Sequence, residues 1–177
     1  SEKNGLIRVA SHGRLLARPL LDLRARVNTN SYRGILTVEP DPDFLQNPYL
    51  YVVYVNAGNP PNTPKATTVR MSRFTVHGNV ADPGSEKVLL GEVSDVAACE
   101  RDQRQDCMLS WGDHDGADIA FAEDGTLFVS MGDGGLLKHY EQVASYVQSL
   151  STLGGKILHV TRDGRGVPSN PFWNGDP

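Results

Sequence analysis

Arg33-Gly-Ile-Leu-Thr-Val-Glu-Pro-Asp-Pro-Asp-Phe44, followed by Asn47-Pro-Tyr-Leu-Tyr-Val-Val-Tyr54, reads as a strand, an acidic Pro-containing turn and a second strand rich in aromatics. Alternating side chains and β-branched or aromatic residues favour extended structure, and the Pro and Asp residues between the two runs end the first. The pattern returns at Ile119-Ala-Phe-Ala-Glu-Asp124 and Leu127-Phe-Val, 84 residues downstream (119 − 35). A strand pair that recurs in this way points to repeated antiparallel sheets.

Working outward, further strands are expected at 6–10, 35–38, 49–55, 69–76, 87–90, 119–122, 127–130 and 156–160. Three of them run into a glycine turn: Val9-Ala-Ser-His-Gly13, Phe74-Thr-Val-His-Gly78 and Val160-Thr-Arg-Asp-Gly164. Glycine supplies the positive φ of a tight reversal, so each segment is expected to fold back on an antiparallel neighbour. One helix is expected over 137–150, where Tyr140, Val143, Ala144, Val147 and Leu150 recur at helical spacing. Residues 56–66 and 93–113 read as long loop insertions, where function often resides.

The expected architecture is all-β, an incomplete six-bladed propeller in one domain over 1–177. Two strands belong to one antiparallel blade, four to the next and about three to a third, with the short helix in a loop.

Composition agrees with a water-soluble globular chain: 177 residues, 39% hydrophobic and 21% charged, with a net charge of −4. Lys and Arg are scattered, which argues against nucleic acid as a partner. The longest apolar run, 49–55, falls far short of the roughly 20 residues of a membrane span. Ser1 opens without a basic-then-apolar leader and is not an initiator Met, which leaves a cleaved leader open. Cys99 and Cys107 are eight positions apart (107 − 99) in a polar segment; a disulfide is favoured over two thiols, although spacing alone does not decide.

The two opening motifs resemble the corresponding segment of the soluble, pyrroloquinoline-quinone-dependent glucose and sorbosone dehydrogenases. Val69-Arg-Met-Ser-Arg-Phe74, His114-Asp-Gly-Ala-Asp-Ile-Ala-Phe-Ala-Glu-Asp-Gly125, Leu127-Phe-Val-Ser-Met-Gly-Asp-Gly-Gly135 and Leu153-Gly-Gly-Lys-Ile-Leu158 follow in that family's order. The resemblance implies a six-bladed propeller with the quinone on its axis, calcium beneath it, and an aldose oxidised at the anomeric carbon. It implies His114 as general base, Asp113 as its acidic partner, and a sugar contact at Tyr32, where close relatives carry Gln; Trp111, beside the His motif, is a further candidate substrate contact. It also places the family's quinone-binding Arg-Asn segment and calcium ligands after Pro177, so no cofactor or metal ligand is assigned within the chain.

The chain departs from the family pattern at Ala117, where a second glycine is usual, and at His159, where Arg is common. The isolated chain is expected to be inactive and to self-associate through open blade edges. The parent is expected to be periplasmic or secreted and to pass electrons from its sugar to an acceptor. The alternative is a non-enzymatic propeller that recognises a ligand, resembling the hedgehog-interacting proteins. Asp113, Asp115 and Asp118 around His114 read as a solvated acidic loop rather than a metal site, and Gly132-Asp-Gly-Gly135 as a turn without the Lys of a phosphate cradle.

Overall fold

The computed structural model describes residues 2–135, 140–173 and 175. The chain begins with a long interrupted hairpin. β1 (Leu6–Ile7) pairs with β4 (Leu21–Asp22), and nested within it β2 (Ala10–Ser11) pairs with β3 (Arg14–Leu15). The expected strand at 6–10 is thus one arm of a ribbon whose other arm, split by Arg18-Pro19, carries too little periodicity to be read in advance. At its tip His12 and Gly13 have φ of +50° and +72°, the paired left-handed conformation that matches the twist of a two-residue hairpin turn.

The second sheet is built on β5 (Ile35–Pro40), β6 (Tyr49–Val55) and β7 (Thr67–His77), all antiparallel. The outer edge of β7 is covered in turn by β8 (Val80–Ala81), β9 (Lys87–Leu90) and β10 (Met108–Ser110). Only β9 was expected. β8 and β10 are two and three residues long, too short for a periodic signal, and form because β7 offers unpaired backbone groups. The third sheet is β11 (Ala117–Phe121), β12 (Leu127–Met131) and β13 (Lys156–Val160).

The three layers stack because β6 is buried on both faces. Leu50, Val52 and Tyr54 meet Ile7, Leu21, Leu23 and Val27 of the first layer. Tyr51, Val53 and Val55 face the other way, onto Ile119, Leu127, Val129 and Met131 of the third. Tyr51 and Phe121 meet edge to face at 5.3 Å across that second junction, so these aromatics pack between blades. At one end of the junction Arg162 lies 3.2 Å from buried Asp41 and donates to Asp43 at 3.2 Å.

Instead of the single expected helix there are two α-helices among the described residues. α1 (Val96–Arg101) lies inside the 93–113 insertion, capped by Asp95, whose carboxylate accepts from Ala97 and Ala98 N–H at 2.9 and 3.2 Å. At six residues it is below the length at which periodicity is visible. α2 (Tyr140–Gln148) lies within the expected 137–150. Among the described residues no helix is long and apolar enough to cross a membrane.

Candidate functional site

His114 stands on the loop between β10 and β11. Its φ is +53°, a conformation that costs a non-glycine residue on the order of 1–3 kcal/mol and persists only when the surroundings impose it. They do so through a set of backbone bonds. The loop after β12 supplies Gly132 N–H to Gly116 O at 2.7 Å and Gly134 N–H to His114 O at 3.0 Å, while Trp111 N–H reaches Gly134 O at 2.8 Å. A Cβ on Gly132 would lie 1.9 Å from His114 O, and one on Gly134 2.0 Å from Leu109 O. The Gly132-Asp-Gly-Gly135 segment is therefore more than a turn: its missing side chains let two loops touch backbone to backbone.

That contact brings Asp133 to His114. Oδ1 of Asp133 lies 3.2 Å from His114 Nδ1 and also accepts Gly135 N–H at 3.0 Å. The imidazole is open to solvent, with 60% of its side chain exposed. The carboxylate on the ring is Asp133's, 19 residues away in sequence, rather than that of Asp113, which is half-buried beside it. The family resemblance implied Asp113; the signal for Asp133 is its position between glycines just after β12.

Asp115 is buried, 3% exposed, and so is not part of a solvated acidic loop. Its Oδ2 accepts the Ser110 hydroxyl at 2.7 Å. Ser110 Oγ in turn accepts Arg33 Nε at 2.9 Å. The Arg33 guanidinium, 1% exposed, also donates to the carbonyls of Thr63 at 2.9 Å, Lys65 at 2.8 Å and Ser110 at 2.9 Å. Three loops, around 28–34, 63–65 and 110–116, are pinned by one side chain. Burial depresses the Arg33 pKa, an effect that Asp115 partly offsets. Burial pushes the Asp115 pKa up to about 7, with Asp113 and Asp133 adding to the rise and Ser110 and Arg33 opposing it.

Tyr32 is exposed on the neighbouring loop, its N–H bonded to Gly112 O at 3.4 Å, so it and the His114 loop are adjacent. Trp111 packs against the cluster of Cys99, Cys107 and Leu109 and forms one wall of a cleft of about 910 Å³ with Asn56, Lys65 and Asp95. The lining of that cleft does not include His114. Cys99 and Cys107 are joined, with Cα atoms 6.0 Å apart, which ties α1 to the start of β10. Of the departures noted above, His159 stacks on Phe128 at 4.2 Å and its Nε2 meets Thr126 Oγ1 at 2.8 Å, far along β13 from the His114 loop. Among the described residues no group of three or more His, Cys, Asp or Glu side chains is arranged to hold a metal ion.

Over residues 1–177 the chain matches the sequence model of the family described as Glucose / Sorbosone dehydrogenase. Among solved structures it is similar to a glucose dehydrogenase at 23% identity and a TM-score of 0.72, covering 99% of this chain and 44% of that one. A glucose dehydrogenase-type oxidoreductase of Thermus thermophilus is 30% identical with a TM-score of 0.68, over 97% of this chain and 42% of the other. The PQQ-bound aldose sugar dehydrogenase of Streptomyces coelicolor is 22% identical with a TM-score of 0.66, over 100% and 44%. The chain thus spans less than half the length of these proteins, as expected of an incomplete propeller. With the family match running the whole length of the sequence and the sheets stacked as blades, the chain belongs to the glucose/sorbosone dehydrogenase family.

Proposed function

We propose that the parent protein oxidises an aldose at its anomeric carbon with pyrroloquinoline quinone, and that this chain carries the proton-accepting side of the site. The observation that supports this is the solvent-open His114 imidazole with Asp133 at its Nδ1. An ionised carboxylate can only accept, so it selects the tautomer with hydrogen on Nδ1 and leaves the Nε2 lone pair for a sugar hydroxyl. When Nε2 takes the proton, Asp133 stabilises the imidazolium. The bound quinone supplies the acceptor for the hydride that leaves the same carbon.

The residues present fit the sugar better than the cofactor. Asp113 and Asp133 make the loop negative, which opposes the carboxylates of the quinone, and Arg33 is engaged with three carbonyls and Ser110. The partners of the quinone and the calcium ligands are therefore assigned to other residues of the parent. Tyr32, on the adjacent loop, and Trp111, near the base, are the proposed sugar contacts, with Asp113 adding to the negative field. The Cys99–Cys107 bond supports a periplasmic or secreted location.

In the full-length parent supplied with quinone and calcium, His114→Gln should lower the rate of aldose-dependent dye reduction by about 10² to 10⁴, the range for loss of a general base. Unchanged turnover would remove His114 from the mechanism. Sugar binding without dye reduction by the unaltered parent would point instead to a recognition module.

A further inference from the structure

The general-base reading leaves Asp115 without a task, yet its placement is costly. Oδ1 is buried with no hydrogen-bond partner among the described residues, while Oδ2 is held by Ser110. Leaving a buried acceptor unsatisfied costs about 1–3 kcal/mol, so packing alone does not call for an acid here. Asp115 also sits between the two points at which the base-bearing loop is fastened, His114 O to Gly134 N–H and Gly116 O to Gly132 N–H. Its side chain is a third fastening, directed inward through Ser110 to the buried Arg33.

We infer that Asp115 is a positioning residue for His114: through Ser110 it locks the loop to Arg33 and so decides which ring nitrogen of His114 meets Asp133. The catalytic consequence rests on the general-base reading; the geometric claim does not. The groups acting on Asp115 are Ser110 and Arg33, which favour its ionised form, and Asp113 and Asp133, which with burial oppose it. The inference stands on the hydrogen-bonded path from Asp115 through Ser110 to Arg33 and on the backbone bonds on either side of Asp115.

Long-range ¹H–¹⁵N NMR of the full-length parent reports the imidazole tautomer directly, with the His114 signal assigned by its loss in His114→Gln. The unaltered protein should show hydrogen on Nδ1. Asp115→Ala and Ser110→Ala should give a mixed tautomer and lower kcat by about 10- to 100-fold, the scale of a misplaced reacting group. Asp115→Asn still accepts from Ser110, so it should keep the tautomer and hold kcat within about threefold. Ala variants that fold and keep the original tautomer would overturn the inference. Should neither Ala variant fold, Ser110→Cys, whose weaker donor loosens the bond to Asp115, takes their place: a mixed tautomer supports the inference and an unchanged one overturns it. Full activity in His114→Gln, together with a tautomer shift in Asp115→Ala, would remove the general-base reading and leave the positioning role standing.

Discussion

Asp115 carries its proton to about pH 7 in the folded chain, against 3.8 for a free carboxyl, because burial penalises the ionised form. Between those values the unfolded chain has released the proton and the folded chain has not, so the contribution of Asp115 to stability is fully present below pH 3.8 and is lost as pH rises to about 7. The full shift corresponds to at most about 4 kcal/mol. Asp115→Asn should therefore flatten the pH dependence of urea unfolding across this window and raise stability at neutral pH, since the amide carries no charge to bury. A variant whose stability still falls steeply between those pH values would show that the loss arises elsewhere. Little of this was legible beforehand. Asp115 reads as one of several acids near His114, and only the approach of Arg33 and Ser110, from 82 and 5 positions away, withdraws it from water (115 − 33; 115 − 110).

At the scale of elements, the site depends on two loops in backbone contact, the one leading into β11 and the one leaving β12. Gly132→Ala places a methyl group where His114 O now lies, and that neighbour is backbone, which cannot swing aside as a flexible side chain could. The loops must separate. We expect Gly132→Ala to destabilise the parent by about 2 kcal/mol or more. It should also break the contact between His114 and Asp133, seen as a mixed His114 tautomer in the same NMR measurement. A native tautomer in the Ala variant would mean that the loops are held apart from this contact. The glycines themselves are plain in the sequence, which alone implies a turn. Their role as a spacer appears only when the partner loop is present, because close approach is a property of two segments.

The third sheet shows what the stacked layers leave open. Its inner rows, Ile119–Val129–Leu158 and Phe121–Leu127–Val160, cover the second sheet. The opposite rows are Asp118–Ser130–Ile157 and Ala120–Phe128–His159, with Ile157 71% and Phe128 41% exposed. In a closed propeller the next blade covers such a face; in the isolated chain it is an apolar surface on a short sheet. Purified 1–177 should therefore self-associate with rising concentration in sedimentation velocity, and Ile157→Lys should shift it toward monomer. A chain that remains monomeric throughout would show that this face is not adhesive. The same preparation, given quinone and calcium, should reduce no dye with aldose, because the His114 loop alone presents an acidic surface to an anionic cofactor.

By itself the sequence determined the family and the all-β, repeated-sheet architecture, together with His114 as the residue to examine. Those rest on local properties: alternation along β6, glycine at the hairpin tips, and ordered motifs that survive without knowledge of what lies opposite. Tertiary structure decided that Asp133 rather than Asp113 meets the imidazole, that Asp115 is buried, and that Arg33 of the opening motif is an internal clamp. The physical reason is that hydrogen bonding and desolvation act between chain segments brought together by folding. Asp113 and Asp115 are one residue on either side of His114 in the sequence, yet they experience different solvents and partners.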